Sequence, residues 1–183
     1  MGLIFGFAPF IIMAIGTRFL PVALCLAAAF AIALYKMATT LAARKVPKIL
    51  EAGNFLLFGG ALAYGYLAHI EWTKDALGLV TNGGLGLVVL FGIAIGKPFT
   101  LQYAAEQVPP EMRTNPRFIM ANRVMSGAWA LAFVLMFALN LASVTGHVPA
   151  NLYAPLNLVI IGGAGYFTYW FPRHLRAKAT ASA

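Results

Sequence analysis

The stretch VMSGAWALAFVLMFALNLASVT, residues 124–145, contains no charged side chain. Its apolar residues form a continuous run, without the alternation of a half-buried strand or the polar face of a surface helix. A helix rises about 1.5 Å per residue, so about twenty such residues cross a hydrocarbon core about 30 Å thick. The stretch therefore predicts a transmembrane helix.

Four further segments have the length and apolar character of a membrane span: 19–41, 49–68, 76–96 and 152–171. A sixth apolar segment, 2–16, is interrupted by Pro9 and would reach only about 22 Å as a helix. The segment is either a short span, with the N-terminus inside, or a re-entrant or interfacial element, with the N-terminus outside. The sequence does not determine which. We expect an all-α, polytopic transmembrane helix bundle of five or six spans, with residues 1–183 forming a single membrane domain.

Composition agrees with this class and disfavours others. Hydrophobic residues make up 61% of the chain and charged residues 10%, where soluble domains have about half and about a quarter. The formal charge of +8 does not indicate nucleic-acid binding, because the basic residues lie between apolar runs. Cys25 is the single cysteine, which excludes a disulfide or a thiolate metal site within one chain.

Lys and Arg residues are distributed unequally over alternate connections. One side carries eleven of them, and the other carries Arg18 and Lys74. An excess of basic residues marks the cytoplasmic side of a membrane protein, which predicts a cytoplasmic C-terminus and a cytoplasmic loop over residues 97–123. The eleven are Lys36, Arg44, Lys45, Lys48, Lys97, Arg113, Arg117, Arg123, Arg173, Arg176 and Lys178.

Small and amide side chains within the apolar runs predict contacts between helices. Gly92 and Gly96 are spaced so that one helix face could approach another closely, within the chain or in a homo-oligomer. Asparagines in or beside spans favour interhelical hydrogen bonds, with a polar transport path as the alternative. They stand at positions 54, 82, 122, 140 and 157.

No pattern indicates a cofactor or a metal ion. The three histidines, His69, His147 and His174, lack a third ligand at a recognisable spacing. Glu51 opens a span, where it would pair with Lys48 or cap the helix. We therefore expect a protein that is not an enzyme. A membrane enzyme using the carboxylates of residues 51, 106 or 111 is a further reading that the sequence leaves open.

Five stretches together resemble the bacterial septation protein A family of small inner-membrane proteins and its uncharacterised relatives. They are FAPF, GGALAYGYLAHIEWTKD, IGKPFTLQYAAEQVPPE, MANRVMSGAWALAFVLMFALNLA and YFTYWFPRH, in that order along nearly the whole chain. The loop FTLQYAAEQVPPEMRTNPRF is closer to the uncharacterised relatives than to the septation branch.

The resemblance implies a multi-pass protein of the bacterial inner (cytoplasmic) membrane with a cytoplasmic C-terminus. It also implies a non-enzymatic role in cell-envelope maintenance or division, through contacts with other membrane proteins. The alternatives are a small transporter, a channel, a lipid-handling protein or a subunit of a larger membrane complex. Residues proposed to contact lipid or partners are Lys97, Pro98, Arg113, Arg117, Asn122, Arg123 and Trp129 on the inner side, with Trp72 and Lys74 in the outer turn.

Overall fold

A computed structural model describes residues 6–181, apart from the side chains of residues 150, 151, 154 and 176–181. The described residues contain helices and no strand, which confirms the all-α class. The α-helices are α1 (Ala8–Ile11), α2 (Val22–Ala42), α3 (Ile49–Leu67), α4 (Lys74–Ala94), α5 (Phe99–Ala104), α6 (Pro110–Arg113), α7 (Pro116–Val144) and α8 (Ala150–Ala181). A π-helix covers Ile12–Gly16, and a short 3-10 helix covers Ala105–Gln107.

Three of these helices, α2, α4 and α7, are long and apolar enough to cross a membrane. They correspond to the predicted segments 19–41, 76–96 and 124–145. The predicted segments 49–68 and 152–171 are also helical, as α3 and α8. Glu51 and Asn54 lie in the first two turns of α3, where they reduce its apolar character.

The contacts of the chain divide it into two compact units, residues 1–88 and residues 89–183. In the first unit, α2 and α3 pack side by side across the short connector 43–48. Its core contains Leu26, Phe58 and Leu77, with the half-buried Phe10 and Trp72 packed against it. Apolar side chains from four helices and the outer turn thus share one interior.

The N-terminal segment 2–16 is not one continuous helix. The short helix α1, with Pro9 in its first turn, leads directly into the π-helix, and both pack against α2. The amide nitrogen of Asn54 donates to the carbonyl of Gly6 at 2.9 Å, which ties this segment to α3. Residues 2–5 of the predicted segment lie outside the described part of the chain.

In the second unit, α7 and α8 pack as an antiparallel pair, and α5 packs against α7. The indole nitrogen of Trp129 donates to the Thr168 hydroxyl at 2.9 Å. The amide nitrogen of Asn140 donates to the phenol oxygen of Tyr153 at 2.7 Å. These two bonds connect α7 to α8 at well-separated levels and set the register of the pair.

Helix α7 begins eight residues before the predicted start at residue 124. Asn115 caps it by accepting the backbone N–H of Arg117 at 2.9 Å, and Pro116 occupies the first helical turn. Both residue types favour a helix start, because an Asn side chain satisfies an orphan N–H and Pro has none to satisfy. The predicted loop 97–123 therefore holds α5, α6 and the first two turns of α7. Helix α8 likewise continues ten residues beyond the predicted end at residue 171.

Four helices end in the same hydrogen-bonded motif, with one residue at positive φ just after the helix. That residue is Arg44 after α2, His69 after α3, Gly96 after α4 and Gly146 after α7. After α4, the N–H of Gly96 bonds the carbonyl of Ile93, and the N–H of Lys97 bonds that of Gly92. This is a Schellman cap, which satisfies carbonyls that the helix leaves unpaired.

The Schellman cap corrects the prediction that Gly92 and Gly96 form a helix crossing. Gly96 lies beyond the end of α4, is exposed, and has open space where a Cβ would stand. Its φ of +73° is the reason for glycine there. Gly92 is buried in the last turn of α4. Close helix contacts at glycine occur in the first unit, where Gly53 and Gly59 face Val88 and Phe30.

Candidate functional site

The cations of the predicted inner loop are all on the surface. Lys97, Arg113, Arg117 and Arg123 have exposed side chains. None of the four forms an ion pair with another residue among those that the structure describes. Four guanidinium or ammonium groups in 27 residues, with carboxylates only at Glu106 and Glu111, give this part of the second unit a positive potential.

The second unit carries another cation at the same end of its helix pair. Trp129 bonds Thr168 and Asn140 bonds Tyr153, so the N-terminal part of α7 runs beside the C-terminal part of α8. Arg173, near that end of α8, places its guanidinium carbon 3.5 Å from the ring centroid of Tyr169. The end of the pair that contains the start of α7 is therefore basic. The side chains of Arg176 and Lys178, predicted to share this side, lie outside the described ones.

Pro98 has a different position from the one the sequence suggests. It does not terminate α4, which has already ended in its Schellman cap; instead it is the N-cap residue of α5 and is fully buried. Its φ of −56° and ψ of 137° turn the chain from the exposed Lys97 into the buried start of α5. Residues 99–107 then form a helical segment, α5 followed by the 3-10 helix. Its Phe99 and Tyr103 are buried, so they are not a lipid-binding face.

A buried hydroxyl network fixes the start of α5 on α7. The Thr100 hydroxyl donates to the backbone carbonyl of Asn122 at 2.7 Å and lies 2.8 Å from the Ser126 hydroxyl. Because its single proton goes to Asn122, Ser126 is the donor between the two hydroxyls. The N–H of Thr100 in turn donates to Ser126 Oγ at 3.3 Å. Each hydroxyl is satisfied, and both side chains are buried.

Asn122 and Trp129, proposed as contact residues, are interior residues. Asn122 is 1% exposed, and its amide nitrogen donates to the carbonyl of Phe118 in its own helix. Trp129 is 7% exposed and packs between the rings of Phe99 and Phe133. Neither side chain is available to lipid or to a partner. The backbone carbonyl of Asn122 binds α5, and Trp129 contacts both α5 and α8, so the two residues help to hold these helices against α7.

Trp72 and Lys74 lie in the first unit, in the turn between α3 and α4. Trp72 is half-buried, and its indole N–H donates to the carbonyl of Ala61 at 2.9 Å. A Cβ on Gly65 would stand 2.7 Å from the same indole nitrogen, so glycine makes room for the ring. Trp72 therefore fastens the outer turn to α3, while Lys74 at the start of α4 is exposed.

The asparagines only partly form the predicted interhelical bonds. Asn140 bonds across from α7 to α8, and Asn54 bonds the N-terminal segment. Asn122 and Asn157 instead donate to carbonyls four residues earlier in their own helices. In the side chains of all four, the amide oxygen is buried and has no hydrogen-bond partner among the described atoms.

Glu51 caps its helix, as the sequence predicts. Its Oε2 accepts the backbone N–H of Lys48 at 3.3 Å and the Thr40 hydroxyl at 3.3 Å. A carboxylate in the first turn also interacts favourably with the helix dipole. Among the residues that the structure describes, no group of three or more His, Cys, Asp or Glu side chains could hold a metal ion.

Thr100 and Ser126 are the contact-forming residues that sequence reasoning missed. A signal for one of them was present: Asn122 and Ser126 are polar residues four apart, so they lie on one face of α7. Their partner Thr100 could not be found in this way, because its pairing depends on how α5 folds back.

The described residues thus form an all-helical protein with three helices long and apolar enough to span a bilayer. Its second unit carries exposed cations between residues 97 and 123 and a buried hydroxyl network formed by Thr100 and Ser126. Comparisons with protein-family models, curated proteins and solved structures give no match.

Proposed function

We propose that this chain is a multi-pass protein of the bacterial inner membrane, crossing it five or six times with its C-terminus in the cytoplasm. It acts without catalysis, by contacting other membrane proteins that maintain the cell envelope or build the division septum. The resemblance of five sequence stretches to the septation protein A family supports this proposal. The three span-length apolar helices support its membrane location.

The observation that carries the proposal is a set of exposed cations, which we call the basic surface, on backbone that hydrogen bonds hold in place. These cations are Lys97, Arg113, Arg117 and Arg123. Lys97 directly precedes the buried Pro98, and α5 is held to α7 by the Thr100–Ser126 network. Arg113 and Arg117 flank the Asn115 cap of α7, whose hydrogen bond fixes the backbone between them. Cations presented on a held backbone lose less freedom on binding, so they suit recognition of an acidic partner segment.

Photo-crosslinking in the membrane tests this proposal. A photoreactive amino acid replaces Met112, whose side chain is 43% exposed beside Arg113. We expect it to capture specific membrane proteins, and we expect Arg113→Glu with Arg117→Glu to abolish that capture while the protein stays inserted. Lys74→Glu is the matched control, since it reverses an exposed cation in the first unit. If the double variant captures the same proteins as the parent, the proposed role of the basic surface is wrong.

A further inference from the structure

The connector between α2 and α3, residues 43–48, is a second basic segment that the proposed contacts do not use. Its Arg44 and Lys45 side chains are exposed, and Lys48 is half-buried at the start of α3. The sequence ARKVPK places these three cations within five residues. Such a cluster attracts anions strongly, because the potentials of neighbouring charges add.

The nearest carboxylate is already engaged on the inner side of the connector. Glu51 Oε2 accepts the N–H of Lys48 and the hydroxyl of Thr40, each at 3.3 Å. It also attracts Lys36, a half-buried residue of α2. Glu51 therefore offsets the charge of Lys36 and leaves Arg44 and Lys45 without an acidic partner among the described residues.

Arg44 occupies a backbone position that glycine fills in two of the other caps and His69 fills in the third. It has φ +54° in the Schellman cap of α2, with its N–H on the carbonyl of Leu41 and the N–H of Lys45 on that of Thr40. The same position holds Gly96 after α4 and Gly146 after α7. The two cap hydrogen bonds hold the backbone of Arg44 in this conformation although its Cβ disfavours it, so the guanidinium is presented from a held position.

Apolar side chains stand beside these cations. Val46 is 89% exposed and Leu41 is 56% exposed, although both belong to the most basic part of the first unit. A surface that combines cations with exposed aliphatic side chains matches the boundary between lipid headgroups and acyl chains. A phospholipid offers both in one molecule, an anionic headgroup for the cations and acyl chains for the aliphatic side chains.

We propose that the α2–α3 connector binds the headgroup of an anionic phospholipid, with its phosphate at Arg44 and Lys45 and with Val46 and Leu41 against its acyl chains. This inference rests on the proposed function, because it requires the connector to lie at a membrane surface. It adds a ligand class and a site distinct from the surface at residues 97–123.

Native mass spectrometry of the detergent-purified full chain tests the site. Phosphatidylglycerol and phosphatidylcholine with identical acyl chains are added, and retained lipid is counted. We expect preferential retention of phosphatidylglycerol, weakened about 30-fold by Arg44→Gln with Lys45→Gln, since each interfacial cation contributes about fivefold. Arg18→Gln, which removes an exposed cation that belongs to neither basic segment, is the control and should leave retention unchanged.

Arg44→Gly separates lipid binding from stability. Glycine relieves the positive φ, so this variant should unfold at a higher temperature while retaining phosphatidylglycerol about fivefold more weakly. Equal retention of both lipids, unchanged retention in the Arg44 and Lys45 variants, or a loss confined to the Arg18 control would each overturn the inference. Partner capture through residue 112 is a separate measurement, so failure of the proposed function shows independently of failure here.

Discussion

At the scale of single residues, the backbone of His69 has a conformation that residues with a Cβ rarely adopt. Its φ is +52°, in the Schellman cap of α3, and its side chain is exposed. We predict that His69→Gly raises the free energy of unfolding by about 1 kcal/mol, because glycine removes the steric conflict of the Cβ. Thermal unfolding in detergent measures this. Ala68→Gly is the control: residue 68 has φ −90°, so glycine there brings no gain.

Gly96 already has glycine at the positive-φ position of its cap, so a substitution there should destabilise the protein. Open space surrounds the position of a Cβ on Gly96, yet its φ of +73° predicts that Gly96→Ala lowers the free energy of unfolding by about 1 kcal/mol. Gly127, inside α7, also has open space but normal helical geometry. Gly127→Ala should therefore be neutral or stabilising. Equal effects of the two substitutions in a melting experiment would contradict the backbone explanation.

At the scale of elements, α3 and α4 approach each other where Gly53 faces Val88. A Cβ on Gly53 would stand 2.5 Å and 2.7 Å from the two methyl carbons of Val88. Valine is stiff about χ1, so Gly53→Ala should destabilise the protein by about 1–3 kcal/mol through overpacking. Adding Val88→Ala should recover much of that loss. Gly60→Ala, in the same helix with open space around it, is the control.

The contact between α5 and α7 depends on Thr100 and Ser126. Thr100→Val keeps the shape of the side chain but removes the hydroxyl that bonds Asn122 and Ser126. We predict faster hydrogen exchange of the amides of residues 99–107, corresponding to a loss of about 1–3 kcal/mol from buried groups left unpaired. Thr100→Ser retains the hydroxyl and should exchange like the parent. Unchanged exchange in the valine variant would show that apolar contacts alone hold α5.

The elements themselves were predictable to different degrees. Continuous apolar runs located α2, α4 and α7, because the hydrocarbon length fixes how many apolar residues a span requires. The sequence did not predict that α7 begins at Pro116, because the charged residues Arg117 and Arg123 are typical of a loop between membrane spans. The burial of Asn122 and Trp129 was also missed, because exposure depends on α5 folding back onto α7, which no local pattern encodes.

At the scale of the whole molecule, the distribution of Lys and Arg predicts which side of the membrane each connector faces. Reporter tags fused after Lys48, after Arg113 and after Lys178 should all be inaccessible from outside the cell, because basic connectors remain on the cytoplasmic side. A tag inserted after Lys74 should be accessible. Accessibility of any of the first three from outside would disprove both the topology and the roles proposed for the basic segments.

The exposure of the cations in the candidate site could be predicted from the sequence. Lys97, Arg113, Arg117 and Arg123 are exposed, as cations in a polar segment should be, because burying them unpaired is costly. The division into two compact units could not be read from the sequence, since the boundary at Val88 falls inside the uninterrupted helix α4.

The pairing of α7 with α8 has a mechanical consequence. The Trp129–Thr168 and Asn140–Tyr153 bonds join the two helices at points about 16 Å apart along α7. Axial sliding by one turn would break both bonds at once. An axial shift of one helix past the other is therefore disfavoured, so the two helices should move together, by tilting or rotating as a pair.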